Sequence, residues 1–151
     1  MNRRRLLITG LIALASCLGC ARPTVRHVVP RTYMGPLALL NNREVAMPSA
    51  ESIDISGEWI WPPRGVLVGD FGDNWTSVKW AGDDIFVDEL GMPRTDCRCL
   101  GTAALGVGNK PLMVVWYFCG DYKAGAAWFN GHGFGKPMTE WLRARGVPVP
   151  D

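Results

Sequence analysis

A two-residue period restricts the fold of this chain more than any other feature. Ile53, Ile55, Gly57, Trp59 and Trp61 alternate with Ser52, Asp54, Ser56, Glu58 and Ile60, the pattern of a strand with one buried and one wet face. Pro62-Pro63-Arg64-Gly65 then forces a turn. Further candidate strands run over Val66 to Phe71, Trp75 to Trp80, Ile85 to Leu90, Cys97 to Leu105, Leu112 to Cys119 and Ala124 to Asn130, separated by glycine, aspartate and proline clusters. Seven short strands at this spacing predict an all-β dominated unit, either a small antiparallel β-barrel or a β-sandwich. Leu112 to Phe118 is apolar on both faces, so it is expected to be a central strand covered above and below.

The period breaks once. From Pro137 to Gly146, proline near the first turn, Thr139 as a possible cap, Arg143 and Arg145 in the last turn and a closing glycine are helix start and stop signals. One short C-terminal α-helix is therefore expected, docked through Trp141 and Leu142. The preceding Gly131-His132-Gly133-Phe134-Gly135-Lys136 is dense in glycine, but it has neither P-loop nor dinucleotide spacing and reads as the turn into that helix. No Gly-x-Ser-x-Gly elbow exists, and His132 is the only histidine within 52–151, the span read as the folded unit. The carboxylate pairs Asp70/Asp73, Asp83/Asp84 and Asp88/Glu89 sit beside glycines or turns and read as turn chemistry that makes the surface acidic.

The N-terminus is read as an address. Arg3-Arg4-Arg5 precedes the apolar run from Leu6 to Ala15, as in a secretory signal, and that run is too short to span a bilayer comfortably. It ends on Leu14-Ala15-Ser16-Cys17, which resembles the lipobox of bacterial lipoproteins, where the chain is cut before a cysteine whose sulfur receives a lipid. The resemblance implies a signal peptide over 1–16 and lipidation of Cys17, with Cys20 of Cys17-Leu18-Gly19-Cys20 as the alternative site. It also implies a membrane partner through that lipid, and Leu18, where retained lipoproteins carry aspartate, implies the outer membrane facing the periplasm. Residues 17–51 hold Pro23, Pro30, Pro36 and Pro48, and between Leu18 and Ala50 the arginines at 22, 26, 31 and 43 oppose the single acid Glu44, so they read as a basic spacer. One island, Pro36 to Leu40, is a candidate strand or helix within it. The folded domain is expected over 52–151. A net charge of +2 excludes a strongly basic nucleic-acid binder.

Cysteine usage fits an oxidising compartment. Period two puts Cys97 and Cys99 on one face of a strand, and Cys119 closes a later one, so a disulfide from one of the pair to Cys119 is expected. Two other readings use the same residues. Cys97, Cys99, Cys119 and His132 form a possible zinc set, but their spacing matches no zinc ribbon, and exported thiols tend to oxidise first. Arg98 between Cys97 and Cys99 could lower a thiol pKa for redox work. No metal or other cofactor is expected.

All seven tryptophans lie beyond Glu51, more than a small core is expected to hide. Trp59, Trp61, Trp116 and Trp128 are the candidates for a ligand or partner surface. Gly57-Glu58-Trp59 resembles the Gly-x-Trp of the first lipocalin strand, and Thr95-Asp96 resembles the Thr-Asp-Tyr of that family with Cys97 in place of tyrosine. That resemblance implies a barrel. Two functions are thus in view. One is a non-catalytic envelope lipoprotein that binds a periplasmic protein, as assembly factors, inhibitors, immunity proteins and exclusion lipoproteins do. The other is a small barrel that holds an apolar ligand or glycan through its tryptophans.

Overall fold

The computed structural model of the chain describes residues 24–41, 58–69, 83–105 and 112–149. The signal segment, Cys17, Cys20, the stretch Ile53 to Gly57, Asp70, Asp73 and the expected strand from Trp75 to Trp80 lie outside them.

Among the described residues seven strands and two helices follow in order: β1 (Thr24–Val28), β2 (Gly35–Asn41), β3 (Glu58–Ile60), β4 (Val66–Gly69), β5 (Asp83–Val87), β6 (Cys97–Leu105), β7 (Leu112–Cys119), α1 (Tyr122–His132) and α2 (Gly135–Arg143). One sheet has the order β3-β1-β5 and the other β4-β2-β7-β6. The fold is all-β dominated and sandwich-like. Neither sheet closes into a barrel, which corrects the barrel that the lipocalin resemblance implied.

Three of the connections are arches. β1 leads over a short turn to β2 in the opposite sheet, β3 does the same to β4, and β5 does the same to β6. Successive arches run the same way, so β1 pairs parallel with β3 and with β5, and β2 pairs parallel with β4. Only β7 runs against its neighbours, inserted between β2 and β6. The antiparallel expectation holds for that region alone. Strands joined by five to nine residues are usually hairpin partners, but here each turn crosses between layers and leaves lateral pairing to strands from other arches.

Two of these strands correct the spacer reading of 17–51. Thr24 to Val29 alternates, with Val25, His27 and Val29 buried and Arg26 exposed. Prolines 23 and 30 bound that strand rather than breaking it. Leu37 and Leu39 of the expected island face the space between the sheets, while Ala38 and Leu40 face the other way.

The four-stranded sheet is the middle of three layers. Val25, Leu37, Leu39, Trp59, Trp61, Phe86, Val115 and Tyr117 fill the gap between the sheets. Val66, Val68, Val114, Trp116, Met138 and Leu142 pack its other face against the helices. β7 is buried on both faces, as its unbroken apolar run predicted.

The expected strand from Ala124 to Asn130 is helical. Asp121 caps it, its side chain accepting from the Ala124 N–H at 3.0 Å. Gly125, Trp128, Phe129 and His132 then recur at helical spacing, and Gly125 lets the helix close on Phe118. α2 matches the predicted terminal helix, burying Met138 and Leu142 one turn apart. Among the described residues no helix is long and apolar enough to cross a membrane.

Candidate functional site

Three of the four tryptophans expected at the surface are core residues. Trp59 and Trp61 are buried between the sheets, and Trp116 is buried beneath the helices. Trp128 is half-buried, packed edge-on against Trp116 and Trp141 at 5.0 and 5.7 Å. The Trp116 indole donates to the Gly133 carbonyl at 3.2 Å, so even the polar end of that ring is used inside. A three-layer arrangement provides two interior faces, and this is why a small chain hides so many indoles.

The most polar feature of the inter-sheet core is His27, which sequence reading missed because it lay in the presumed spacer. Its Nδ1 accepts from the Trp61 indole at 3.0 Å, and its Nε2 lies 2.8 Å from Asp84 Oδ1. Indole is only a donor, so Nδ1 must be the bare nitrogen and Nε2–H donates to the carboxylate. Phe86 stacks on the ring at 4.5 Å, and Trp59 and Tyr117 lie 5.0 Å away. Burial, followed by the nearby Asp84 and Cys99, pushes the Tyr117 hydroxyl well above its ordinary pKa. With both nitrogens engaged and no exposure, His27 offers no base to a substrate; it ties the three strands of its own sheet together and packs against Tyr117 of the other. Asp84 is therefore an inward strand residue, which corrects its reading as turn chemistry.

Asp88 does follow the turn reading. Its Oδ1 accepts from the N–H groups of Leu90 and Met92 at 2.9 and 2.8 Å. Glu89 accepts from the Arg31 N–H at 2.7 Å.

A second polar centre locks the turns together. The buried Arg94 guanidinium grips Asp96 with two bonds of 2.8 Å and donates to the carbonyls of Pro30 and Tyr33 at 2.8 and 3.0 Å. Its remaining N–H reaches the Arg31 carbonyl at 3.4 Å, so all five donors of the planar fork are used. The carbonyl of Asp96 in turn accepts from the Gly120 N–H at 3.0 Å. The Arg94 bond holds the Asp96 carboxyl below its ordinary range, and Asp96 in return raises the guanidinium. Nothing in Met92-Pro93-Arg94-Thr95-Asp96 beyond turn composition announced this.

The cysteines resolve in favour of the disulfide. Cys97 and Cys119 are register partners on β6 and β7 and are bonded. Two of the four sulfur and nitrogen atoms of the zinc alternative are thereby consumed. Among the described residues no three His, Cys, Asp or Glu side chains converge. Cys99 is exposed beside Arg98, whose guanidinium lies 5.1 Å above the Tyr122 ring. His132 ends α1, bonded to the Trp128 carbonyl at 3.2 Å and stacked on that indole. Gly133 donates its N–H to Phe129, so the glycine-dense segment is a helix-to-helix turn with its amide already spent.

Comparison with known proteins adds outline only. No family model matches this chain, and no curated protein does. A crystal structure of a Bacillus anthracis protein, provisionally called a lipoprotein, is similar with a TM-score of 0.46 and 16% identity, over 82% of this chain and 90% of that one. Similarity at that level implies nothing about activity.

The remaining surface feature is the turn end of the domain. β1, β3, β5 and β7 all finish there, β2, β4 and β6 all start there, and α1 departs from it. Met34 is 65% exposed, Leu90 72%, Met92 59% and Tyr122 59%, and all four belong to these turns or to that helix start. Sequence reading did not single them out, since isolated apolar residues in separate turns carry no period.

Proposed function

We propose that this chain is a non-catalytic, lipid-anchored envelope protein, in the outer membrane facing the periplasm, whose β domain binds a protein partner. The observation that carries the reading is the join between the lipobox-like motif and the fold. Cys17 lies only seven residues before Thr24, where β1 starts. Fully extended, seven residues reach about 25 Å, so the anchor would hold the domain close to the bilayer with the starts of β1, β3 and β5 on the near side. The Cys97–Cys119 disulfide supports export, because cytosolic reductants oppose such bonds. Exposed apolar side chains gathered at the opposite end support a protein partner. The alternative of a tryptophan-lined barrel has lost its support, since Trp59, Trp61 and Trp116 are packed in the core and neither sheet closes into a barrel.

Feeding cells an alkyne fatty acid tests the anchor. Wild type is expected to carry label and to sediment with outer membrane; Cys17→Ala is expected to lose both, while Cys20→Ala retains them. Label lost only in Cys20→Ala moves the site by three residues. An unlabelled wild-type chain recovered soluble and reduced from the cell interior overturns the reading.

A further inference from the structure

We propose that Arg64 and Arg145 form a binding site for a phosphate group, at the corner where the turn after β3 meets the end of α2. The partner-binding reading above makes no use of this site, and neither depends on the other.

Two arginines 81 residues apart in sequence meet at this corner. Arg145 donates from Nε to the Arg64 carbonyl at 3.2 Å, and Arg64 Nη1 reaches back to the Arg145 carbonyl at 3.5 Å. Arg145 also donates from Nη1 to the Trp141 carbonyl at 3.2 Å, and its guanidinium carbon lies 3.6 Å from the centre of the Trp141 ring. Two bonds and an aromatic floor thus fix its fork, while Nη2 has no acceptor among the described residues. A cation beside the last carbonyls of a helix is ordinary and accounts for the bond to Trp141. It does not account for a second guanidinium brought from another part of the chain, because like charges repel.

The corner holds no compensating acid. Pro62-Pro63-Arg64-Gly65 contains none, and neither arginine has a carboxylate within ion-pair distance among the described residues. The carboxylates of the neighbouring turns act on a different cation. Asp96, Asp88 and Glu89 all raise Arg94, whereas burial lowers Arg145 and only the Tyr33 hydroxyl, itself neutral at physiological pH, opposes that. The single acid of α2, Glu140, lies 3.8 Å from Lys136. Asp151, the next acid along the chain, lies outside the described residues and enters the test as a variant. A partly buried cation without a counter-ion is unfavourable, and a bound anion relieves it.

The number of charges selects phosphate. Guanidinium donors pair with oxyanions, and two such groups match the two negative charges of a phosphate monoester, whereas a carboxylate balances one. A fork already held against an indole also loses little freedom on binding.

Arginine side-chain NMR of the full chain tests this through the Arg145 Nε–H signal, with Cys17→Ser and Cys20→Ser included so that acylation does not affect the result. The Trp116 indole N–H, bonded to Gly133 inside the core, is the internal control. Sodium phosphate is expected to move the Arg145 signal saturably, acetate to bind about tenfold more weakly, and sodium chloride at equal ionic strength to leave the signal in place. Arg64→Met removes one exposed side chain and is expected to weaken phosphate about tenfold, with the Trp116 signal unchanged. Asp151→Asn is expected to bind phosphate within about twofold of the parent chain. Glycerol phosphate and vesicles containing phosphatidic acid, compared at equal phosphate, assign the source: tighter binding of the first means a soluble phosphate, and of the second a lipid head group. Four results overturn the site: a chloride shift equal to that of phosphate, undiminished affinity in Arg64→Met, a gain of about tenfold in Asp151→Asn, or binding of vesicles while inorganic phosphate is silent.

Discussion

The Trp61 indole donates to Nδ1 of His27 at 3.0 Å and thereby decides which ring nitrogen carries the proton. The proton sits on Nε2 and points at Asp84, 2.8 Å away. One bond from the turn after β3 to β1 thus orients a second one, from β1 to β5, and all three residues belong to different arches. Protonating Nδ1 would set two N–H groups against each other, so the geometry holds the ring in one neutral form.

Trp61→Phe tests this pin. It removes the indole donor and part of a buried ring, and urea unfolding is expected to show a loss of about 2–4 kcal/mol. Nitrogen NMR of the wild-type imidazole should show a bare Nδ1 and a protonated Nε2 at neutral pH. The reverse assignment would contradict the bonding described.

Arg94→Lys should destabilise strongly for a residue so near the surface, because an ammonium cannot reproduce five donors in a plane. A loss of about 2–3 kcal/mol is expected by chemical denaturation, and Arg94→Ala should lose at least as much.

The partner of Arg94 gives the domain an acid limb. The Arg94 bond depresses the folded carboxyl of Asp96 below its ordinary value of 3.8. Its stabilisation is therefore complete above that value and is lost as pH falls through the lower folded one. Asp96 is partly exposed, so the effect is screened by solvent. Melting temperature followed below pH 4 should decline more gently in Asp96→Asn than in wild type; identical slopes would remove Asp96 as a contributor.

Cys119→Ala opens the loop closed between Cys97 and Cys119, whose sequence separation is 22. On the chain-entropy model this costs about 3 kcal/mol. Adding reductant to wild type should lower its unfolding midpoint toward that of the variant and leave the variant where it was.

Gly65→Ala should be disproportionately harmful for the addition of one methyl group. Gly65 has φ +72°, and a Cβ there would fall 2.0 Å from the Tyr33 hydroxyl and 2.9 Å from the Pro36 carbonyl. Tyr33 donates its hydroxyl to that same carbonyl, so neither atom can retreat without breaking a bond that shapes the first arch. A loss of about 2–3 kcal/mol is expected from backbone strain and displaced packing, read from thermal unfolding.

Local rules carried much of the fold. β6 and β7 lie where alternation and apolar runs placed them, and α2 lies where proline, arginine and glycine bracketed it. Where the reading failed, two local signals competed. Ala124 to Asn130 looked like a strand because its alanines and aromatics satisfy either period, and only the Asp121 cap with the 125, 128, 129, 132 spacing separates them. β1 was hidden because its bounding prolines resemble spacer composition, although Val25, His27 and Val29 already alternate.

What the linear order determined by itself is therefore the set of segments, their inward faces and the proximity of a lipobox-like cysteine to the first strand. Those properties depend on side chains two to four positions apart. What the tertiary structure alone decided is which strands became neighbours, which of Cys97 and Cys99 met Cys119, and whether the tryptophans faced water or core. Strand neighbours, disulfide partners and burial depend on groups tens of residues apart, brought together only when each arch crosses to the opposite sheet and the helices cover the middle one. The pinned His27, the fully used Arg94 fork and the apolar turn end each draw on residues from different arches, so no short window of sequence contains the whole of any of them.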